Sequence, residues 1–208
     1  MQVQKDEIRE KLIQVAQSHF LRKGYLKSSM RAIASEAKVG LANIYNYFPN
    51  KDALLQAVVA PVIDRLYDML MSHHNPQNHD YSRLIEENMH TGLTMEYISL
   101  LHGNRKKLKI LFFQSEGSSL EKFTDEFTDK ATRLILQWFE SIKANCPEMD
   151  FSISSFTIHL HTVWEISLLK EIVMHNVPDK SIPAILDDFI KFEISGWRKL
   201  MKLDYDKQ

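Results

Sequence analysis

Histidine and carboxylate side chains are the groups of this chain that could bind a metal ion or transfer a proton. His159 and His161 lie two residues apart, a spacing that points two side chains away from each other on a helix. His161 and Glu165 lie four residues apart and would form a polar pair on one helix face. Three more histidines fall in the polar stretch 73–80 (HHNPQNHD), a loop that could capture a metal ion adventitiously.

Sequence motifs of enzymes are absent from the chain. It contains no H-E-x-x-H, no C-x-x-C, no phosphate-binding loop and no G-x-S-x-G. The single cysteine, Cys146, cannot form an internal disulfide, which fits a reducing compartment. We therefore expect a protein that is not an enzyme and that uses no cofactor and no metal.

The charges of the 208 residues are distributed unevenly. Residues 1–51 contain nine Lys and Arg against four Asp and Glu, whereas the whole chain has a net charge of −1. A basic N-terminal region on an acidic remainder indicates that the N-terminal region binds a polyanion. Chance scatter of surface charge is the alternative.

Apolar residues recur at helical spacing along nearly the whole chain, and strand alternation is almost absent. The pattern predicts an all-α fold of about nine helices, with a first domain at 1–50 and a second helical domain at 51–208. The predicted helices are a first ending before Gly24 and others at about 29–36, 41–46, 51–72, 82–101, 105–115, 119–144, 152–176 and 182–202. The charged N-terminus excludes a signal peptide and no apolar run is long enough to span a bilayer, so we expect a cytoplasmic protein without a membrane partner.

The first three predicted helices have the size and turn of a helix-turn-helix. Ala34 must be small because the third helix crosses over it, and Ile44 and Phe48 return apolar groups to the core. In such units the N-terminal residues of the third helix point outward to a DNA major groove.

The same region resembles the N-terminal signature of the TetR (tetracycline-repressor) family. The resemblance covers about a quarter of the chain, and the rest is similar only in length and helical layout. The matching residues are Ala16, Phe20, Gly24, Tyr25, Ser28, Ser29, Met30, Ile33, Ala34, Ala37, Val39, Ile44, Tyr45, Asn46, Tyr47, Phe48 and 51–55 (KDALL).

The resemblance implies which residues contact DNA. Residues at the start of the second helix would contact DNA phosphates, and residues at the start of the third helix would face base edges. The residues after the third helix starts would contact the DNA backbone. This set is Ser28, Ser29, Arg31, Gly40, Leu41, Ala42, Asn43, Tyr45, Asn46, Tyr47 and Lys51. Three of these have simpler interpretations as a core aromatic (Tyr45), a solvated charge (Lys51) and a surface residue (Asn43).

The turn of the helix-turn-helix departs from the family pattern at two positions. Lys38 stands where the family usually has glycine, and Gly40 stands where a capping serine is common. A left-handed conformation at a residue other than glycine costs about 1 kcal/mol, and glycine is a tolerable helix cap. We expect the fold to survive both changes.

The last two predicted helices each carry two apolar stripes, whereas a surface helix needs only one. We predict that the second stripe forms a homodimer interface of four helices. Two helices at the centre of a monomer are the alternative. The predicted interface residues are Phe156, Leu160, Val163, Ile185, Phe189 and Phe192.

Large side chains of the second domain could line an apolar cavity, although such side chains also fill cores. The family resemblance implies a small-molecule effector in this domain. The predicted pocket residues are Met89, Tyr97, Phe112, Phe127, Trp138, His161 and Trp164.

These observations predict a homodimeric repressor that a small molecule releases from a double-stranded DNA operator. The alternative is a DNA-bound assembly factor whose second domain binds a protein and no small molecule. Pro61, about ten residues into the fourth helix, predicts a bend there because proline cannot donate to the carbonyl of Ala57.

Overall fold

The computed structural model of the chain describes residues 2–77 and 89–203, and every regular element within those ranges is helical. The all-α prediction is confirmed. The α-helices of the described ranges are α1 Gln2–Lys23, α2 Met30–Glu36, α3 Leu41–Ile44, α4 Lys51–His73, α5 Met89–Leu101, α6 Arg105–Phe113, α7 Phe123–Ile142, α8 Ser155–Met174 and α9 Ile182–Leu200. A short 3₁₀ turn at Lys143–Asn145 follows α7, and a second at Asp179–Ser181 precedes α9.

Helix α4 begins where the sequence predicts, and α7 does not. Asn50 caps α4, its side-chain oxygen accepting from the Ala53 N–H at 2.7 Å. The predicted start of α7 at 119 is wrong, because the Ser118 hydroxyl accepts from the Leu120 N–H and the Glu121 carboxylate accepts from the Gly117 N–H. These bonds close a turn, and the helix begins only at Phe123. The predicted fifth-helix start near 82 lies outside the described residues.

The chain packs as two units. Unit 1 comprises residues 1–65 and 103–124, and unit 2 comprises residues 66–102 and 125–208. Helix α4 therefore contributes its first part to unit 1 and its last part to unit 2. The functional boundary at residue 50 stays a prediction.

Unit 1 contains the three-helix region with a core of fully buried side chains. Phe20 of α1, Ile33 of α2 and Ile44 of α3 have no exposed surface, and Ala34 is 1% exposed. The small side chain predicted at Ala34 therefore lies in the core of the helix pair.

The turn between α2 and α3 has the left-handed residue that the sequence predicts. Lys38 has φ +55°, and its N–H donates to the Ser35 carbonyl while the Val39 N–H donates to the Ala34 carbonyl. This pair of bonds satisfies carbonyls at the end of α2 in the Schellman arrangement. The strain at Lys38 is thus part of the turn that sets the start of α3.

A loop after α6 packs on the three-helix region within unit 1. The Tyr25 N–H donates to the Gln114 carbonyl at 2.8 Å, and Ser119 donates to Asp52 from both its N–H and its hydroxyl. Gly117 has φ +77°, a conformation that strains any residue with a Cβ, and a Cβ there would lie 2.3 Å from the Leu26 side chain. The loop therefore fixes the first turn of α4 next to residues 24–28.

Unit 2 buries one stripe of each of its last two helices. On α8 the buried residues include Ile158, Ile166 and Leu169, and on α9 they include Leu186 and Ile190. None of the helices within the described ranges is both long and apolar enough to cross a membrane.

Candidate DNA interface and ligand cavity

Helix α3 buries the side chains at its end and exposes those at its start. Ile44 is fully buried and Phe48 is 3% exposed, so these two side chains hold the short helix on the core. Leu41 is 38% exposed, and Ala42 and Asn43 are also exposed. The helix therefore presents its N-terminal side chains to solvent, on a rigid base.

Polar residues around α3 are partly ordered by their own contacts. The Asn46 amide donates to the Asn43 side-chain oxygen at 3.1 Å, which orients Asn43. Tyr45 is 49% exposed and so is not a core aromatic, whereas Tyr47 is half-buried. Gly40 caps α3 with an extended backbone and no side-chain bond.

The start of α2 is a second exposed group of polar residues. Ser29 is the N-cap of α2, with its hydroxyl oxygen accepting from the Ala32 N–H at 3.2 Å. Arg31 is exposed in the first turn of the same helix. A helix N-terminus with free N–H groups and an arginine is suited to a phosphate.

Two residues of the predicted DNA-contact set face inward. Ser28 is 4% exposed, and its hydroxyl donates to the Gly24 carbonyl at 2.7 Å. Lys51 donates from Nζ to the carbonyls of Tyr25 (2.8 Å) and Ser28 (3.0 Å), and its ammonium lies 4.0 Å from the Tyr25 ring. Burial lowers the pKa of Lys51. Polar atoms of Ser28 and Lys51 are thus used inside the chain, and contact of these two residues with DNA stays a prediction.

Unit 2 encloses a cavity of about 230 Å³ between α4, α5, α7, α8 and α9. Its walls are mainly apolar and aromatic, with a few polar groups from α4, α5, α8 and α9. A cavity of this composition is the usual form of a small-molecule site.

The structure brings together four of the seven predicted pocket residues. Tyr97, Phe127, Trp138 and His161 line the cavity. Phe112 belongs to unit 1, and Trp164 points away, with its ring 4.6 Å from Phe189 and 5.5 Å from Phe192. The side chain of Met89 lies outside the described residues.

The polar wall of the cavity is built around His161. Its Nε2 lies 2.9 Å from a Glu193 oxygen, and its Nδ1 lies 4.0 Å from a Glu165 oxygen. The Tyr97 hydroxyl donates to the other Glu165 oxygen at 3.4 Å. The ligand atoms of His161, Glu165 and Glu193 all lie within 4.8 Å of one another, a separation that a metal ion could bridge.

Burial shifts the titration of this cluster. It raises the pKa of Glu165 to about 7, and it raises the pKa of Tyr97 well above its usual value, with the Glu165 carboxylate adding to the effect. Burial opposes the charged form of His161, but Glu165 and Glu193 outweigh it and raise the pKa of the imidazole. Burial lowers the pKa of His74, on the same wall, to about 3.

Sequence reasoning found the His161–Glu165 pair but missed Glu193 and His74. The i,i+4 spacing on one helix gave the pair, whereas Glu193 comes from α9 and His74 follows the last turn of α4. The sequence feature that could have predicted Glu193 is its place next to Ile194, on the buried side of an apolar helix.

The second apolar stripes of α8 and α9 are exposed. Phe156 and Phe192 are 66% and 67% exposed, and Leu160 is 53% exposed. Val163 and Ile185 are each 37% exposed, and Phe189 is half-buried against Trp164. We call these seven residues the outer face. They include the six residues of the predicted interface.

Comparisons with known proteins agree on the N-terminal region. Residues 12–58 match the family described as bacterial regulatory proteins, tetR family. The nicotine-responsive transcriptional repressor HdnoR of Paenarthrobacter nicotinovorans is 39% identical over 66 residues, 32% of this chain and 34% of that protein. The uncharacterized regulator YuxN of Bacillus subtilis is 35% identical over 65 residues, 31% of this chain and 22% of that protein. The chain thus matches 34% and 22% of the length of these two curated relatives.

Solved structures share the fold over most of the chain. NalD of Pseudomonas aeruginosa, the secondary repressor of the MexAB-OprM efflux pump, aligns with a TM-score of 0.61 and 17% identity, covering 91% of this chain and 96% of that one. A tetR-family regulatory protein of Rhodococcus RHA1 aligns with a TM-score of 0.64 and 14% identity, covering 91% and 96%. Residues 12–58 thus match the tetR family, and most of the chain shares the fold of these solved structures.

Proposed function

We propose that the protein is a homodimeric transcriptional repressor of the cytoplasm that a small molecule releases from its DNA operator. The observation that carries the DNA-binding part is the exposed start of α3 above its buried anchors, Ile44 and Phe48. Leu41, Ala42 and Asn43 are then free to meet base edges, and Ser29 and Arg31 to meet phosphates.

The outer face supports the dimer. Exposed apolar residues scattered singly need no explanation, but a contiguous patch on two neighbouring helices is typical of an interaction surface. Trp164 joins the two helices of the patch through its contacts with Phe189 and Phe192. A second copy of the same surface is the simplest partner, because a two-fold axis pairs α8 and α9 with themselves.

The cavity in unit 2 supports control by a small molecule. A ligand that binds more tightly to the conformation with the weaker DNA affinity must lower operator affinity by linkage. HdnoR and NalD are both named as repressors, and HdnoR as responsive to nicotine. The similarity to HdnoR leaves more than two thirds of this chain unmatched, so its effector is no guide to the ligand of this cavity.

The cavity also bears on the competing functions. An assembly factor without a ligand would be expected to have a filled core, and a helical enzyme would need a cluster of shifted titratable groups. The His161 cluster has such shifts, yet the family is one of regulatory proteins. We therefore assign the cluster to ligand recognition.

Selection from a pool of random duplexes tests the DNA-binding part. We expect one related set of sequences to be enriched, and Asn43→Ala to weaken binding to them by about 1–3 kcal/mol with little effect on random DNA. Asn145→Ala, an exposed asparagine in unit 2, is the control and should bind as the parent does. No enrichment, or equal losses on both kinds of DNA, would contradict base recognition by α3.

A further inference from the structure

The polar wall of the unit 2 cavity has an excess of acid around a single imidazole. Helix α8 contributes His161 and Glu165, and α9 contributes Glu193. Glu193 is nine-tenths buried, and within the described residues neither its Oε1 nor the two nitrogens of His161 makes a hydrogen bond. The His161–Glu193 contact at 2.9 Å is thus an ion pair without hydrogen-bond alignment. Among these atoms, the Glu193 Oε1 is an acceptor without a donor, and it favours a ligand that supplies one.

The other titratable groups of the cavity do not cancel this excess at the cluster. His74 stays neutral because its pKa is about 3, and His73 is paired with Glu96 at 2.6 Å. Arg198 also lines the cavity, but the charges that act on the pKa of Glu165 are those of His161 and Glu193. The phenol of Tyr97 stays protonated. One imidazole therefore faces two carboxyl groups, and a ligand cation beside them would favour the ionised form of Glu165, whose pKa is about 7.

The remaining walls suit an apolar or aromatic body. Trp197 meets the His161 ring edge-on at 4.8 Å, and Trp138 meets the His74 ring edge-on at 5.3 Å. Aromatic faces bind cations as well as apolar groups. At about 230 Å³ the cavity is smaller than the roughly 300–1,000 Å³ of drug-sized sites, so the ligand must be compact.

A metal ion fits these residues less well than an organic cation. The two carboxylates approach different nitrogens of His161, Glu193 at Nε2 and Glu165 at Nδ1, whereas a metal binds one nitrogen. Trp138 and Trp197, which also line the cavity, carry no metal-ligand atom.

We propose that the cavity binds a compact organic cation, an amine with a small apolar or aromatic body, whose ammonium lies against Glu165 and Glu193. This inference rests on the proposed function of the cavity as the effector site. The ammonium donates to the carboxylates, and the aromatic side chains contact the body of the ligand.

Calorimetry on the full chain tests the proposal with three probes of similar size. 2-Phenylethylamine is the cation, 2-phenylethanol the neutral match and 3-phenylpropanoate the anion. We expect the amine to bind at least about tenfold more tightly than the alcohol, as a charge-assisted hydrogen bond implies, and the anion to bind most weakly.

Two variants test whether Glu165 and Glu193 cause the tighter binding of the amine. Glu165→Gln and Glu193→Gln should each reduce amine affinity and leave alcohol affinity within about twofold, because only the charged partner is lost. Glu171→Gln, an exposed glutamate on the same helix, is the matched control and should change neither affinity. Thermal melts of each variant establish that it is folded.

Several outcomes would overturn the proposal. They are equal binding of amine and alcohol, no binding of the amine at millimolar concentration, an unchanged amine affinity in both glutamine variants, or tight binding of Zn²⁺ alone that these variants abolish. DNA release is measured separately. An amine that binds through Glu165 without releasing DNA supports this inference and contradicts ligand control of DNA binding.

Discussion

The resemblance predicts that Ser28 and Lys51 contact phosphates, and nothing in the sequence shows that their polar atoms are used inside the chain. The ammonium of Lys51 instead joins the first turn of α4 to the carbonyls of Tyr25 and Ser28. The exposed residues Leu41, Ala42 and Asn43 are predictable, because the positions of Ile44 and Phe48 fix which side of α3 is buried. At the residue scale, the sequence therefore predicts whether a side chain is exposed better than it predicts the hydrogen-bond partner of that side chain.

Asn46 should support base recognition indirectly. Its amide donates to the Asn43 oxygen at 3.1 Å, so Asn46→Ala frees the Asn43 side chain to adopt other rotamers. We expect a smaller loss of operator affinity than with Asn43→Ala, and no further loss in the double variant beyond that of Asn43→Ala. Fluorescence anisotropy with a labelled duplex measures all three, and fully additive losses would show that Asn46 contacts DNA independently.

His74 should make unit 2 sensitive to acid. Its folded pKa of about 3 lies below the ordinary value of about 6.5, so the unfolded chain takes up the proton first. The contribution of neutral His74 to the free energy of unfolding is complete above pH 6.5. It is lost as the pH falls toward 3, at up to about 1.4 kcal/mol per pH unit. His74→Leu should flatten this loss in urea melts from pH 7 to pH 4, and the exposed control His102→Leu should not. Parallel curves for His74→Leu and the parent would contradict the assignment.

At the scale of elements, apolar periodicity predicted all of the helices found and both stripes of α8 and α9, because burial on a helix repeats every 3.6 residues. The start of α7 was not predictable. The hydroxyl and the N–H of Ser119 donate hydrogen bonds to Asp52, 67 residues away, and a local sequence pattern cannot predict such a contact. Helix α4 runs from Lys51 to His73 through an exposed Pro61, and the bend at Pro61 stays a prediction.

The left-handed turn before α3 provides a test of stored strain. Lys38→Gly removes the Cβ that disfavours φ +55°, so we expect the chain to gain about 0.5 kcal/mol of stability after the greater entropy of unfolded glycine is subtracted. Lys38→Ala removes the same charge but keeps the Cβ, and it should give no such gain. Thermal unfolding that ranks alanine equal to glycine would show that the turn is unstrained.

At the scale of the whole molecule, the outer face is the feature that the monomer does not explain. Phe192→Asp places a carboxylate where the side chain is already 67% exposed, so the monomer should remain folded. We expect sedimentation velocity to show monomers, because the dimer would bury an unpaired charge. Met95→Asp, at a 60% exposed site on α5, is the control and should stay dimeric. A dimeric Phe192→Asp variant would place the interface elsewhere.

The stoichiometry of the DNA complex tests the account most directly. We would take the duplex enriched from the random pool, label it, and follow its sedimentation as protein is added. The account predicts two chains per duplex on a sequence with two-fold symmetry and half-sites about 10 base pairs apart, with Phe192→Asp failing to form that complex. One chain per duplex, or a bound sequence without two-fold symmetry, would contradict it.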